Sequence, residues 1–486
     1  MEKSGVFFAM WRLDGMVRRR SSRRRRAKRR ARIFMTTVLL VVVTGLTAMV
    51  AYSLILRRNN SSQQDDFGII SGTQAAQRPQ NSVNFADFVG GDVIENAEPP
   101  SSFIADADTS EGGQDASFAY GEEQRVEQDT LLEPENSLEE ENAALNEALY
   151  QQAALDGQKV KLVECAESDR VIMAFAGDIL LDDSYAMMAT FKNRGSSIED
   201  TFSAELLDKM RSADIFMLNN EFTFTNRGEP TPEKKFTFRA KPEHVDFLHQ
   251  LGVDVVSLAN NHSFDFGEIS LLDTLETLNN ADIPYVGAGA NLEEAIKPVY
   301  FVANGMKIAI VSATQIERTS TPDTKEATQN RAGVLRCMDA TRLLSVIAEA
   351  KENSDFVILY IHWGTESQEE IDWLQEKQAP LYAEAGVDLI MGDHPHCLQK
   401  LDKVAGVPVV YSLGNYWFNS RTQDTCLIEI SIKDKALEYL KFIPCRQADC
   451  RTKHLEGTEK EEVLAYMRRI SPHVTIDSEG FVDFGS

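Results

Sequence analysis

Cysteine and histidine are scarce in this chain, six and eight residues out of 486. With 43% hydrophobic residues, the chain can bury a sizeable core, so its stability does not require a disulfide framework. Cys445 and Cys450 are close enough in sequence to pair, and an extracytoplasmic setting permits disulfides; small buried thiols account for the six cysteines equally well. Internal repeats are not evident, which argues against a repeat array. Residues 33–56, "IFMTTVLLVVVTGLTAMVAYSLIL", contain no charge at all, which argues against an ordinary soluble helix. About 20 apolar residues cross a bilayer core, so the run is long enough to span one. Residues 59 to about 130 lack a periodic apolar pattern and are rich in Ser, Gln, Asn, Asp and Glu. Such a composition cannot bury enough surface to order itself and reads as a flexible acidic stalk.

Acidic side chains are nearly missing from the first 58 residues, which hold 2 of the 75 Asp+Glu but 15 of the 50 Lys+Arg. The formal net charge of the whole chain is -25, so everything beyond residue 58 is strongly acidic. The arginines concentrate in "RRRSSRRRRAKRRAR", residues 18–32, directly before the uncharged run. The positive-inside rule then predicts an uncleaved single-pass anchor in the cell membrane, with the N-terminus cytoplasmic and the main domain extracellular. A signal peptide has a shorter apolar region and a small-residue cleavage site, which this run lacks. An arginine-rich run can bind nucleic acid, but its position against a membrane span favours the anchor, and no nucleic-acid partner is expected. The chain thus divides into a basic cytoplasmic segment (1–32), an anchor (33–56), a stalk (57–160), a domain (165–455) and a C-terminal helix and tail (456–486). Within the stalk, "SLEEENAALNEALYQQAA" (137–154) predicts a short helix, with Ser137 and Glu140 as a capping box.

From about residue 165 short apolar runs alternate with amphipathic segments. "VIMAFA", "DIFML", "VDVVSLA", "KIAIVSA", "FVILYI", "VDLIM" and "VPVVYSL" read as strands, and "EHVDFLHQLG" and "LLDTLETLNN" as helices. This alternation predicts an α/β (α+β) domain built on a central sheet. Residues 425–455 read as antiparallel strands, followed by a helix at 458–470.

Five of the runs end on the same kinds of residue. Gly177-Asp178 follows the first, "NNE" ending in Glu221 the second, "NNH" (Asn260 to His262) the third. His362 opens "HWG" after the fourth, and "GDHPH" with His394 and His396 follows the fifth. In α/β sheets the carboxyl ends of the strands form the ligand crevice. Imidazole, carboxylate and amide oxygen together suit Mn, Fe or Zn, and their number fits one or two divalent ions that polarise a substrate oxygen. Pro395 pushes His394 toward extended geometry, and extended residues i and i+2 point the same way. That reasoning predicts that His394 and His396 share one target while Asp393 and Cys397 point away.

As an ordered set, "AGDI", "NNE", "SLANNHSFDFG", "HWG", "GDHPH" and "YSLGN" resemble the CapA-type poly-γ-glutamate capsule synthesis proteins of the calcineurin-like metallophosphoesterase superfamily. The resemblance spans about 170 to 420. It implies a sandwich of two mixed sheets flanked by helices, with a metal centre at the strand ends. It also implies Asp178, Glu221, Asn261, His362, His394 and His396 as metal ligands, and His262 with Asp178 as catalytic groups. Where the superfamily has Asp-x-His, this chain has Asp178-Ile179-Leu180, which leaves one metal position short of a ligand. "KKFTFRAKP" (234–242) reads either as a contact for an anionic polymer through Arg239 and Lys241 or as a solvated strand with outward charges. Asp265 and Asn415 lie near the motifs and are candidates to orient the ligands or, for Asn415, to contact substrate. The implied function is assistance to synthesis or export of a poly-γ-glutamate capsule, alongside other capsule-synthesis membrane proteins. A metal-dependent phosphoesterase or envelope hydrolase and a non-catalytic scaffold are the alternatives.

Overall fold

The apolar runs form two mixed sheets that lie face to face, in a computed structural model that describes residues 133–316 and 324–485. The proposed anchor and the stalk up to residue 132 lie outside the described residues. Among the described residues no helix is long and apolar enough to cross a membrane. In spatial order the first sheet runs Arg451–His454, Ala436–Ala448, Gln423–Lys433, Arg170–Ile179, Ile215–Asn220, Val255–Ser257 and Tyr285–Val286. Asn415–Trp417 also pairs with Arg170–Ile179. The second sheet runs Lys159–Leu162, Val299–Ala303, Met306–Thr314, Phe356–His362, Leu389–Asp393, Val407–Val410 and Leu401–Val404.

Side chains alternate along each strand, so each sheet has two faces to bury. Met173 and Phe175 of the first sheet meet Ile308, Ile310, Ile358 and Tyr360 of the second in one core between the sheets. The intervening Ala174 and Ala176 face outward, under Leu206 and Met210 of helix Ala204–Ser212, Phe247 and Leu251 of helix Val245–Leu251, and Leu271 and Leu278 of helix Glu268–Asn280. Val357, Leu359 and Ile361 pack outward against Leu343 and Ile347 of helix Thr341–Glu352 and Tyr382 of helix Trp373–Ala385. The layers are therefore helix, sheet, sheet, helix. Both faces of the central strands are covered, which is why the sequence shows them as continuous apolar runs. The C-terminal helix Gly457–Ile470 inserts Val463, Leu464 and Met467 into the core between the sheets.

The helix read at 137–154 spans Glu133–Leu155, so Ser137 lies inside it and not at its N-cap. Pro134 stands in its first turn, where a missing N–H costs nothing. Asn142 donates to Ser168 O at 2.7 Å, and Asn146 Oδ1 accepts from Gly305 N at 2.7 Å, fastening the helix to the domain. All six cysteines carry free thiols, Cys445 and Cys450 included.

Four parallel strands begin after an aspartate that does one job. Asp214 N donates to Ile172 O and Asp214 Oδ2 accepts from Ile172 N, at 2.9 and 2.8 Å. Asp254 makes the same pair of bonds to Phe216, Asp355 to Lys307 and Asp388 to Val357. Each clasp joins the start of one strand to its neighbour and fixes the register. The strands start level and deliver their C-terminal residues to one place.

Burial pushes the Asp254 carboxyl up to about 6, against the N–H of Phe216 and with the charge of Asp214 adding to the rise. A carboxyl that is harder to ionise folded than unfolded stabilises the fold at low pH and loses that contribution as pH rises through about 6. Between pH 4 and 7 the wild-type chain should lose on the order of 2–3 kcal/mol from this group. Asp254→Asn should flatten that slope in urea titrations at each pH; an unchanged slope would show that Asp254 is not its source.

Candidate metal centre

The five strand ends meet where the two sheets come together. Asp178 and Asn219 are register partners in the first sheet, as are Asp178 and Asn415, while His362 and Asp393 are partners in the second. Gly177 lets the Asn415 strand approach: a Cβ there would lie 2.0 Å from Gly414 O. Gly392 serves the same end, since a Cβ would lie 2.2 Å from Tyr411 O. These contacts explain the glycines of "AGD" and "GDH" as close approaches of backbone, while Gly414 of "LGN" takes a left-handed φ of +72°.

Glu221 sits at the centre. It is fully buried, and neither carboxylate oxygen has a hydrogen-bond donor. His362 Nε2 lies 3.6 Å from Glu221 Oε1, His262 Nε2 3.9 Å and His396 Nε2 4.0 Å. Two ligand sets share this carboxylate: Asp178, Glu221 and His396 on one side, Glu221, His362 and His394 on the other. Within each set the ligand atoms lie within 4.8 Å of one another. Asn261 Oδ1 is 2.8 Å from His362 Nε2 and belongs to the second side. His394 Nδ1 is 3.0 Å from the same His362 nitrogen.

Neighbouring side chains orient these groups. Asn219 donates to Asp178 Oδ1 at 2.8 Å and accepts from Asn260 Nδ2 at 2.9 Å. His396 Nδ1 lies 3.0 Å from Asp178 Oδ2 and 2.9 Å from Asn415 Oδ1. His262 Nδ1 lies 2.6 Å from Asp265 Oδ2, which also accepts from Phe238 N at 2.6 Å. Phe238 lies over His262 with ring centroids 4.2 Å apart, and Phe418 over His396 at 4.8 Å.

The charges are out of balance. Burial raises Glu221 well above the ordinary carboxylate range, and the charges of Asp178 and Asp393 push it further. Burial likewise raises Asp393. Burial drives His362 down to about 3 and holds His394 and His262 below the usual imidazole range. Burial would also raise Asp178, but the hydrogen bond and charge of His396 outweigh it and leave it lowered. A neutral imidazole has one N–H. If His362 gives it to Asp393, Nε2 is a bare lone pair facing Asn261, His394 and Glu221. A buried carboxylate without a donor costs several kcal/mol unless a cation compensates it. The residues present therefore fit a divalent cation, with imidazole, carboxylate and amide oxygen as donors.

Two expectations about "GDHPH" need correction. His394 and His396 do face one centre, with ring centroids 5.9 Å apart, but the backbone is not extended: φ is +95° and +58° at the two positions. The segment must turn from the second sheet toward Asp178 of the first, and a left-handed bend makes that turn. The conformation is unfavourable for non-glycine residues. Asp393 does not point away. Its Oδ1 lies 2.8 Å from His362 Nδ1, and Asp178, His362 and Asp393 themselves form a close set of ligand atoms.

Arg239 and Lys241 stand apart from the histidines. Arg239 lies over the Phe266 ring, 4.5 Å from its centroid, and Lys241 pairs with Asp183 at 3.2 Å. Both line a cleft of about 640 Å³ with Asp182, Tyr185 and Thr225. The basic segment contributes a different residue to the centre. Lys234, with 5% of its side chain exposed, lies 2.5 Å from Asp265 Oδ1 and also donates to Asn261 O. Lys234, Asp265 and His262 thus form a chain from a buried cation to the imidazole. Nothing in the local pattern of "KKFTF" distinguishes Lys234 from Lys235. Lys234→Met should cost about 3 kcal/mol in chemical denaturation, because it leaves Asp265 charged and buried; a loss under 1 kcal/mol would contradict the ion pair.

A family model described as "Bacterial capsule synthesis protein PGA_cap" matches residues 172–420. A "Capsule biosynthesis protein CapA" of Bacillus anthracis is 29% identical over 305 residues, covering 59% of this chain and 70% of that protein. A "PGA biosynthesis protein CapA" of Bacillus subtilis is 30% identical over 283 residues, covering 57% of this chain and 72% of that protein. A "probable polyglutamine synthesis accessory protein" of Mycobacterium tuberculosis is 27% identical over 277 residues, covering 54% and 73%.

Proposed function

The chain belongs to the bacterial capsule synthesis protein PGA_cap family, and from that premise we propose that it serves poly-γ-glutamate synthesis or export through a divalent-cation centre built on Glu221. One observation carries the reading: a fully buried carboxylate without a hydrogen-bond donor stands where two sets of ligands meet. Asp178, Glu221 and His396 would hold a cation on one side, and Glu221, Asn261, His362 and His394 one on the other. When bound, such a cation supplies Lewis acidity toward an amide or phosphoester oxygen.

The chain's own residues supply the rest. Asp265 fixes the His262 ring through Nδ1, so Nε2 faces the centre and can take up a proton and return it to the leaving atom. The ion pair with Lys234 keeps Asp265 in place. Phe238 and Phe418 cover the rings of His262 and His396 and limit water beside them. Arg239 and Lys241, in the neighbouring cleft, offer cations to the carboxylates of a γ-linked polymer. The surrounding domain is acidic and repels such a chain over long range, so capture at the cleft should weaken when these two residues are lost.

The uncharged run 33–56 would anchor the chain in the cell membrane, with arginines 18–32 on the cytoplasmic side and the domain outside. If so, alkaline carbonate leaves the full chain in the membrane fraction; release into the supernatant would rule out a spanning anchor. For the site, the full chain is incubated with poly-γ-glutamate and Mn²⁺, and polymer length is followed by gel filtration. Wild type should shorten the polymer, and His262→Asn should be slower by about 10²–10⁴-fold at unchanged metal content. Turnover of a simple phosphodiester without action on the polymer would favour the phosphoesterase alternative. Mn²⁺-loaded protein inert on both would favour the scaffold.

A further inference from the structure

We propose that Glu366 is an additional ligand of this centre, supplying the donor that Leu180 does not. The inference rests on the cation reading given above. The two halves of the centre are unequal. One has Glu221, His362 and His394 with Asn261 beside them; the other has only Asp178, Glu221 and His396. Leu180, where the first motif calls for a third donor, is 1% exposed and packs in the apolar core under the first sheet. It has no atom to offer a cation.

Glu366 comes from the opposite direction. It lies two residues beyond Gly364, which turns the chain after His362 with φ +88°. A carboxylate oxygen of Glu366 and nitrogens of His394 and His396 lie within 4.8 Å of one another. The loop is held there: Ser367 N donates to Pro395 O at 2.8 Å, between the two histidines. Gln399 Nε2 donates to the carbonyls of Gln368 and Glu370 at 2.9 and 3.2 Å. These bonds tie the loop to the "HPH" bend and to Gln399, and so hold Glu366 beside His396. Glu366 is exposed, so it closes the centre from the solvent side while Asp178 and Glu221 close it from below. A hard carboxylate with two imidazoles suits Mn²⁺ or Zn²⁺.

The test uses the full-length chain, stripped with a chelator and titrated with Mn²⁺ by calorimetry, with bound metal counted by mass spectrometry. Wild type should take up two equivalents. Glu366→Gln should weaken one of them by tenfold or more and leave the other unchanged. Glu370→Gln, a neighbouring acid of the same loop, should bind as wild type does. If wild type binds Mn²⁺ and the Glu366 and Glu370 variants bind alike, Glu366 is not a ligand and the cation centre stands without it. If wild type binds no Mn²⁺, the cation reading itself fails. Circular dichroism of each variant checks that the fold is kept.

Discussion

The centre of this protein depends on one unbalanced charge. Glu221 is buried between two sheets, both oxygens lack donors, and two further buried carboxylates stand nearby. A fold does not hold such a cluster without a return, because every other buried polar group could have been an apolar one. The charge of His396 goes to Asp178, and the other histidines cannot compensate Glu221. Burial holds three of the four rings around Glu221 toward the neutral form, and they present lone pairs to the same space. Acceptors facing acceptors is the arrangement a cation completes.

The rest of the architecture can be derived from the need to bring these groups together. Two parallel sets of strands, clasped at their starts by Asp214, Asp254, Asp355 and Asp388, deliver their last residues at one level. Glycines at 177 and 392 remove the side chains that would keep neighbouring backbones apart. The bend at His394–His396 then carries the chain from one sheet to the other. Its two left-handed residues are strained, and the packed glycine, the proline and the hydrogen bond from Ser367 hold them there.

Much of this was legible in the sequence. The alternation of apolar runs with amphipathic segments predicts α/β strands and helices on a central sheet, while the pairing of two sheets in a sandwich came only from the family resemblance. The strand-end motifs led to Asp178, Glu221, Asn261, His262, His362, His394 and His396, all of which the fold gathers. What the sequence hid has specific reasons. Alternation along an extended strand sent Asp393 away from the site, and a positive φ at a non-glycine residue leaves no local signal. Lys234 carries no local mark that separates it from Lys235, because its partner Asp265 is 31 residues on. Glu366 was hidden in an acidic loop whose position is set by bonds to Pro395 and Gln399. The four aspartates at strand starts were visible as "ADI", "VDVV", "SDFV" and "VDLI", but their bonds to neighbouring strands appear only once the strands are paired.

The most direct measurement is anomalous diffraction from crystals of the protein grown with Mn²⁺. A cation centre predicts an anomalous peak at bonding distance from a Glu221 oxygen, with His362 and His394 or His396 and Asp178 closing around it. Full-occupancy Mn²⁺ elsewhere on the molecule with no peak at Glu221 would contradict the account, and would mean that the buried carboxylate is held by a proton alone.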